Sequence, residues 1–279
     1  MLREVAADAL SSLLPAEERE RVEAYMLRDA GHGTDVFGLD PRGLKVAYGL
    51  AYWFHEHYFR VRSVGHENIP DVGAGVVVAN HSGVLPYDGM MIAADVFRRR
   101  VPPRLVRYMV DFFVYRMPFL GLFFRSIGQI PGTRGNFDGL VGEGHLVGIF
   151  PEGAKALAKR PEERYQLRNF THGHVELAAR HGAPVIPAGV VGAEEQLDMV
   201  ADIRPLARAL RLPNFPLTTT LVFPKPVRYY IRYGAPLHVD PAVLTSIEIR
   251  TREVARVRDA VDGLIREGLE WRREEEGGA

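Results

Sequence analysis

The sequence predicts an α/β fold: a single domain with a mixed, mostly parallel sheet flanked by helices and preceded by an N-terminal helical region. Short apolar or β-branched runs recur at residues 73–79, 145–150, 184–191 and 217–223. Helical stretches such as 90–99 and 173–180 alternate with them. Runs that stay apolar without alternating are the mark of strands buried on both faces, which βαβ crossovers produce.

Residues 2–29 read as helix, with Leu2, Val5, Ala6, Leu10, Leu13 and Leu14 on one stripe, a break at Pro15, and Val22, Tyr25 and Met26 beyond it. The segment Gly31-His32-Gly33-Thr34-Asp35 interrupts that pattern and is the candidate linker. The chain therefore divides into an N-terminal helical region, residues 1–40, and an α/β domain, residues 41–279, that includes the C-terminal helix. Asp40-Pro41 sets an N-cap before a proline at the first helical position. The helix it opens runs to about Tyr58 and is unusually aromatic, with Tyr48, Tyr52, Trp53, Phe54 and Tyr58. Residues 227–233 read as a further strand. Residues 241–273 read as a helix that turns Val254, Val257, Val261, Leu264, Ile265 and Leu269 inward.

Composition removes several functions. The 279 residues carry 35 Lys+Arg against 35 Asp+Glu, a formal net charge of +0, so no excess of basic side chains invites nucleic acid. With Cys at 0 there is no disulfide, thiolate zinc site, iron–sulfur cluster or cysteine acyl-enzyme. No basic segment followed by an apolar one opens the chain, which points to a cytoplasmic protein. The apolar stretches 44–54 and 105–124 are too short, or are broken by Arg107, Asp111, Arg116 and Pro118, to span a bilayer. A membrane would be met at its surface.

Three polar clusters follow predicted strands: Asn80 to Gly89, Pro151 to Lys155, and Val191 to Glu195. Ligands of open α/β sheets bind beyond the carboxyl ends of strands, so these clusters should converge. His81 with Asp88 has the parts of a general-base pair, an imidazole to take a proton and a carboxylate to fix its tautomer. The plainer reading is a histidine capping the next helix, with Asp88 in a turn. Ser82 is a poor nucleophile, because its side chain diverges from that of His81 and no Gly-x-Ser-x-Gly elbow occurs in the chain. Glu194 and Glu195 read as a solvated acidic turn at the mouth of the site.

Taken together, Asn80-His81 with a downstream Asp, residues 128–134 (Gly-Gln-Ile-Pro-Gly-Thr-Arg), Phe150-Pro151-Glu152-Gly153 and Val185-Ile186-Pro187-Ala188 resemble, in order, the four blocks of the glycerolipid acyltransferases, the lysophosphatidate acyltransferase superfamily. The resemblance covers about residues 58–235. It implies transfer of a fatty acyl chain from acyl-CoA or acyl-carrier protein to a glycerolipid hydroxyl, with no cofactor beyond that co-substrate. It further implies His81 as base, Asp88 as its orienting acid, Arg134 as phosphate ligand, Glu152, Gly153 and Lys155 in substrate binding, and Pro187 in the floor of the site. Arg168 and His172 fall where relatives hold a cation before the glycine. The acceptor it suggests first is 1-acyl-glycerol-3-phosphate; diacylglycerol or a glycolipid is the uncharged alternative, and a non-catalytic lipid-binding protein a third reading.

The sequence departs from the family in three places. Six residues separate His81 from Asp88 where four are usual, Ala154-Lys155 stands for the usual Thr-Arg, and residues 135–144 form a glycine-rich tract where relatives carry a firmer helix. The segment 111–124 is apolar on nearly every face and is expected to be buried or to meet lipid.

Overall fold

In the computed structural model, residues 14–25, 27, 29–82, 86–110, 115, 120–153, 159–197, 199–203, 216–218 and 223–278 are described. In chain order the strands are β1 (Arg62–Val64), β2 (Gly75–Ala79), β3 (Val106–Val110), β4 (Ile130–Pro131), β5 (Leu146–Ile149), β6 (Val185–Val191), β7 (Met199–Asp202), β8 (Pro216–Thr218) and β9 (Tyr230–Tyr233). The helices are α1 (Ala16–Ala24), α2 (Pro41–Trp53), α3 (Tyr87–Arg99), α4 (Leu120–Ser126), α5 (Arg134–Gly142), α6 (Gly173–His181) and α7 (Ile247–Gly277).

Seven strands form the main sheet in the order β1-β9-β6-β2-β5-β3-β4. Every neighbouring pair is parallel except β6 with β9. Five strands from β6 to β4 therefore end at one edge, and β1 and β9 run the other way.

β2 shows why the sheet is sealed on both faces. Successive side chains of a strand point to opposite sides, so Val76 and Val78 join Phe137, Leu140, Val175, Val257 and Val261 under α5, α6 and α7. Val77 and Ala79 join Met91, Ile92, Val96 and Phe54 under α3 and the end of α2. A third cluster, with Leu14, Val22, Leu39, Leu44, Tyr48 and Phe97, fixes the N-terminal segment to α3.

Asp40 caps α2 as its spacing predicts, accepting from the Gly43 N–H at 2.6 Å. The aromatic helix is α-helical only to Trp53; residues Phe54–Tyr58 continue as a π-turn. Phe54 is core, against Phe59 and Tyr87. The π-turn also places His55 within 3.2 Å of Asp95 on α3. Ser63 and Tyr233 donate to the same buried carboxylate, at 2.7 and 3.0 Å. Burial opposes a charge on His55, but its bonds to Asp95 and Glu56 outweigh that and raise its pKa; the bond from His55 in turn holds Glu56 down at about 2.

Several expectations are corrected. Residues 2–13 and Met26 lie outside the described residues, and the described N-terminal helix is α1 alone. The strand expected at 217–223 is β8, paired among the described residues with β7 in a separate ribbon, and residues 219–222 lie outside the described residues. The glycine-rich tract is a true helix, α5, because Thr133 caps it by accepting from the Asn136 N–H at 3.1 Å. Within 105–124, residues 106–110 are strand β3 and 120–126 helix α4, with Leu122 and Phe123 exposed; residues 111–114 and 116–119 lie outside the described residues. Asp35, at the end of the expected linker, is buried and paired at 2.6 Å with Arg107 of β3.

Candidate active site

β2 carries its chain directly to the site. Asn80 extends the ladder with its amide, donating to the Val190 carbonyl at 3.0 Å and accepting from the Val190 N–H at 2.8 Å. This double bond to β6 fixes the residue before His81. Asp88 lies in the first turn of α3, fully buried. Its carboxylate accepts from His81 Nδ1 at 2.7 Å, from the Ser82 N–H at 2.8 Å and from its neighbour Gly89 N–H at 2.7 Å. A carboxylate only accepts, so Nδ1 carries a hydrogen, and in the neutral imidazole Nε2 keeps its lone pair. The two residues that sequence separates by six are thus brought into contact.

The His81 ring lies flat on Phe150, with centroids 4.2 Å apart and planes 16° apart. Phe150 lies in turn on Tyr108 at 5.3 Å and 6°. Gly148 makes room for this column: a Cβ there would overlap the Tyr108 ring. The Ser82 hydroxyl is buried without a hydrogen-bond partner among the described residues.

The second cluster closes on the first through Glu152. One oxygen accepts from the His81 backbone N–H at 3.1 Å, and the other from the Arg168 backbone N–H at 2.7 Å and from Lys159 Nζ at 3.0 Å. Gly153 follows with φ +62 and closes the turn onto the Phe150 carbonyl at 3.0 Å. The third cluster joins through Lys159, which also reaches Glu194 at 3.0 Å. Glu194 is therefore no solvated turn: it is buried, it accepts from the Tyr165 N–H at 2.7 Å, and burial raises its pKa. Tyr165 holds a left-handed backbone, φ 62, rare for a side chain of its size. Its hydroxyl donates to Glu195 at 2.7 Å and accepts from the Gly192 N–H at 2.8 Å.

Arg134 stands at the first position of α5, with its side chain 78% exposed and 3.7 Å from Glu176. Arg168 offers its side chain to Glu163 at 2.9 Å, and His172 occupies the N-cap of α6 without a side-chain bond there. Pro187 is a central residue of β6, paired with Val78. Lys155 lies outside the described residues. Among the described residues no group of three or more His, Asp or Glu could hold a metal ion.

Residues 60–191 match the family model described as Acyltransferase. The match places an acyltransferase-like domain over a little under half of the chain. Its fold is similar to that of the 1-acyl-sn-glycerophosphate acyltransferase PlsC of Thermotoga maritima, with a TM-score of 0.56 over 97% of this chain and 95% of that one at 16% identity. An uncharacterized protein of Mycobacterium tuberculosis is 36% identical over 215 residues, 74% of this chain and 60% of its own length. A chicken protein described as "DGAT1/2-independent enzyme synthesizing storage lipids" is 27% identical over 84% of this chain and 67% of its own. The chain thus spans about 60% of the length of this mycobacterial relative.

Sequence reasoning missed Lys159, Tyr165 and the stacking role of Phe150. Phe150 was within reach, since it opens the third block. Lys159 and Tyr165 sit in a charged loop with no spacing signal.

Proposed function

We propose that this protein transfers a fatty acyl chain from acyl-CoA or acyl-carrier protein to a glycerolipid hydroxyl, with 1-acyl-glycerol-3-phosphate the leading acceptor and His81 the general base. The His81–Asp88 contact carries the reading: with Nδ1 held at 2.7 Å, Nε2 is the nitrogen left to accept a proton. His81 takes the proton of the acceptor hydroxyl, and the oxygen attacks the thioester carbonyl. Backbone N–H groups or Lys155 stabilise the oxyanion. Its collapse expels the thiolate, to which His81 returns the proton. The test is thiol release from acyl-CoA that depends on added acceptor; a lipid-binding protein of the same fold would release none.

Arg134 supplies the acceptor's phosphate contact. The start of a helix favours anions, and Glu176 at 3.7 Å is distant enough to be exchanged for a phosphate. A charge-assisted bond contributes about 1.5 to 3 kcal/mol. Arg134→Ala is therefore expected to raise the KM for a phosphorylated acceptor about tenfold or more and leave the donor KM unchanged. An equal loss on diacylglycerol would reject the phosphate contact. The uncharged acceptor remains the second reading, favoured by the storage-lipid description of the chicken relative. A panel of lyso-lipids and diacylglycerol with one labelled acyl-CoA separates the two.

The acceptor is reached at a membrane surface. No described helix is long and apolar enough to cross a bilayer. Leu50 and Trp53, one turn apart on α2, are exposed, and Trp53 stacks on Tyr58, which meets the exposed Phe223 edge-on at 5.5 Å. Aromatic rings suit the headgroup region. Trp53→Ser with Phe223→Ser should weaken sedimentation with liposomes and spare activity on a short-chain soluble acceptor. Undiminished sedimentation would reject this face. Phe54 is unsuitable for the same experiment, because it is core.

A further inference from the structure

Lys159 is the one cation described within the site's core that the proposed reaction leaves unused. Its side chain is only 5% exposed, and its ammonium sits 3.0 Å from each of two buried carboxylates, Glu152 and Glu194. Burying an ammonium is costly unless it is paired, and burying two carboxylates side by side is costlier still. One of the two, Glu152, holds the His81 backbone through its N–H at 3.1 Å and the Arg168 backbone at 2.7 Å. The other, Glu194, is fixed by the N–H of Tyr165, whose left-handed backbone is a conformation kept only where its surroundings impose it.

We infer that Lys159 is a positioning residue for the reaction: it holds Glu152 and Glu194 together as carboxylates, and through Glu152 it sets the place of the His81 backbone and hence of its imidazole. The inference rests on the acyl-transfer reading for its kinetic consequence, though not for its geometry. Among the described residues, the charged and titratable groups facing the cluster are Lys159, Glu152, Glu194 and Tyr165, with Glu195 and Arg272 behind Tyr165. Without Lys159 the two carboxylates repel and share a proton. That proton is bound at low pH and lost as pH rises, so the damage grows with pH.

The test compares Lys159→Met with Lys159→Met/Glu194→Gln, which restores the cluster's original net charge. A displacement of about 1 Å at a reacting group costs on the order of a hundredfold. Folded Lys159→Met should lose about that in kcat, more steeply at alkaline pH, with both KM values changed less than about twofold. The double variant should regain about tenfold. The ring resonance of His81, assigned by its loss in His81→Asn, should move in Lys159→Met and return in the double variant, with no substrate present. A folded Lys159→Met with wild-type kcat and an unmoved His81 resonance overturns the inference. Should Lys159→Met not fold, the double variant decides: folded with His81 in its wild-type position supports charge balance, while displaced or unfolded overturns it. If the wild type releases no thiol, the acyl-transfer reading fails, and the resonance alone still decides the role of Lys159.

Discussion

His81→Ala is expected to lower acceptor-dependent thiol release by about two to four orders of magnitude, with the folded state intact. The imidazole is 15% exposed and rests on Phe150, so its removal leaves a small gap at a rim rather than a cavity in the core. Asp88→Asn should cost less, though still more than about tenfold. An amide at that position can offer its oxygen to only some of the three donors now served by the carboxylate, and a rotated amide would favour the wrong tautomer of His81. The measurement is turnover at saturating donor and acceptor, alongside a thermal melt to certify folding. Wild-type turnover in His81→Ala would remove the base from the mechanism.

Asp35→Ala should destabilise the fold by about 3 to 5 kcal/mol, read as a fall in the urea midpoint at unchanged slope. The loss has two sources. Arg107 is fully buried, and Asp35 is the carboxylate facing its guanidinium, at 2.6 Å. The same side chain accepts from the N–H groups of Phe37 and Leu39 at 2.9 Å each. Asp35→Asn with Arg107→Met removes both charges and keeps an acceptor for the loop, so it should lose clearly less than Asp35→Ala alone. A change below about 1 kcal/mol in Asp35→Ala would mean that the pair does not hold β3 to the N-terminal segment.

The sequence announced the central strands because they are apolar without interruption: residues 75–79, 146–149 and 185–191 are read from either face of the sheet alike. β3 stayed hidden for the opposite reason. Arg107 breaks its apolar run, and what makes an arginine acceptable there is distant in the chain: Asp35, 72 residues away, and the Gly128 carbonyl, to which Nε donates. β1 and β4, of three and two residues, are too short to show any period. At the site, His81, Asp88 and Glu152 were legible because blocks in a fixed order pointed to them. What the order could not convey was that Glu152 spends its oxygens on backbone N–H groups and on Lys159, or that Glu194 is buried. Both depend on which loops meet in space, with Lys159 and Glu194 separated by 35 residues in the chain.

α3 carries acids at both ends of its working length. Asp88 lies in its first turn, and Asp95, seven residues or about 10 Å further on, is gripped by His55 of the π-turn, Ser63 of β1 and Tyr233 of β9. The helix is therefore a spar with one end at the imidazole and the other seated in the joint between the N-terminal helices and the reversed pair of strands. A spar transmits tilt. If α2 lies along a surface, the elevation of His81 above that surface is settled once, at folding, and every hydroxyl presented to the imidazole must arrive at that same elevation.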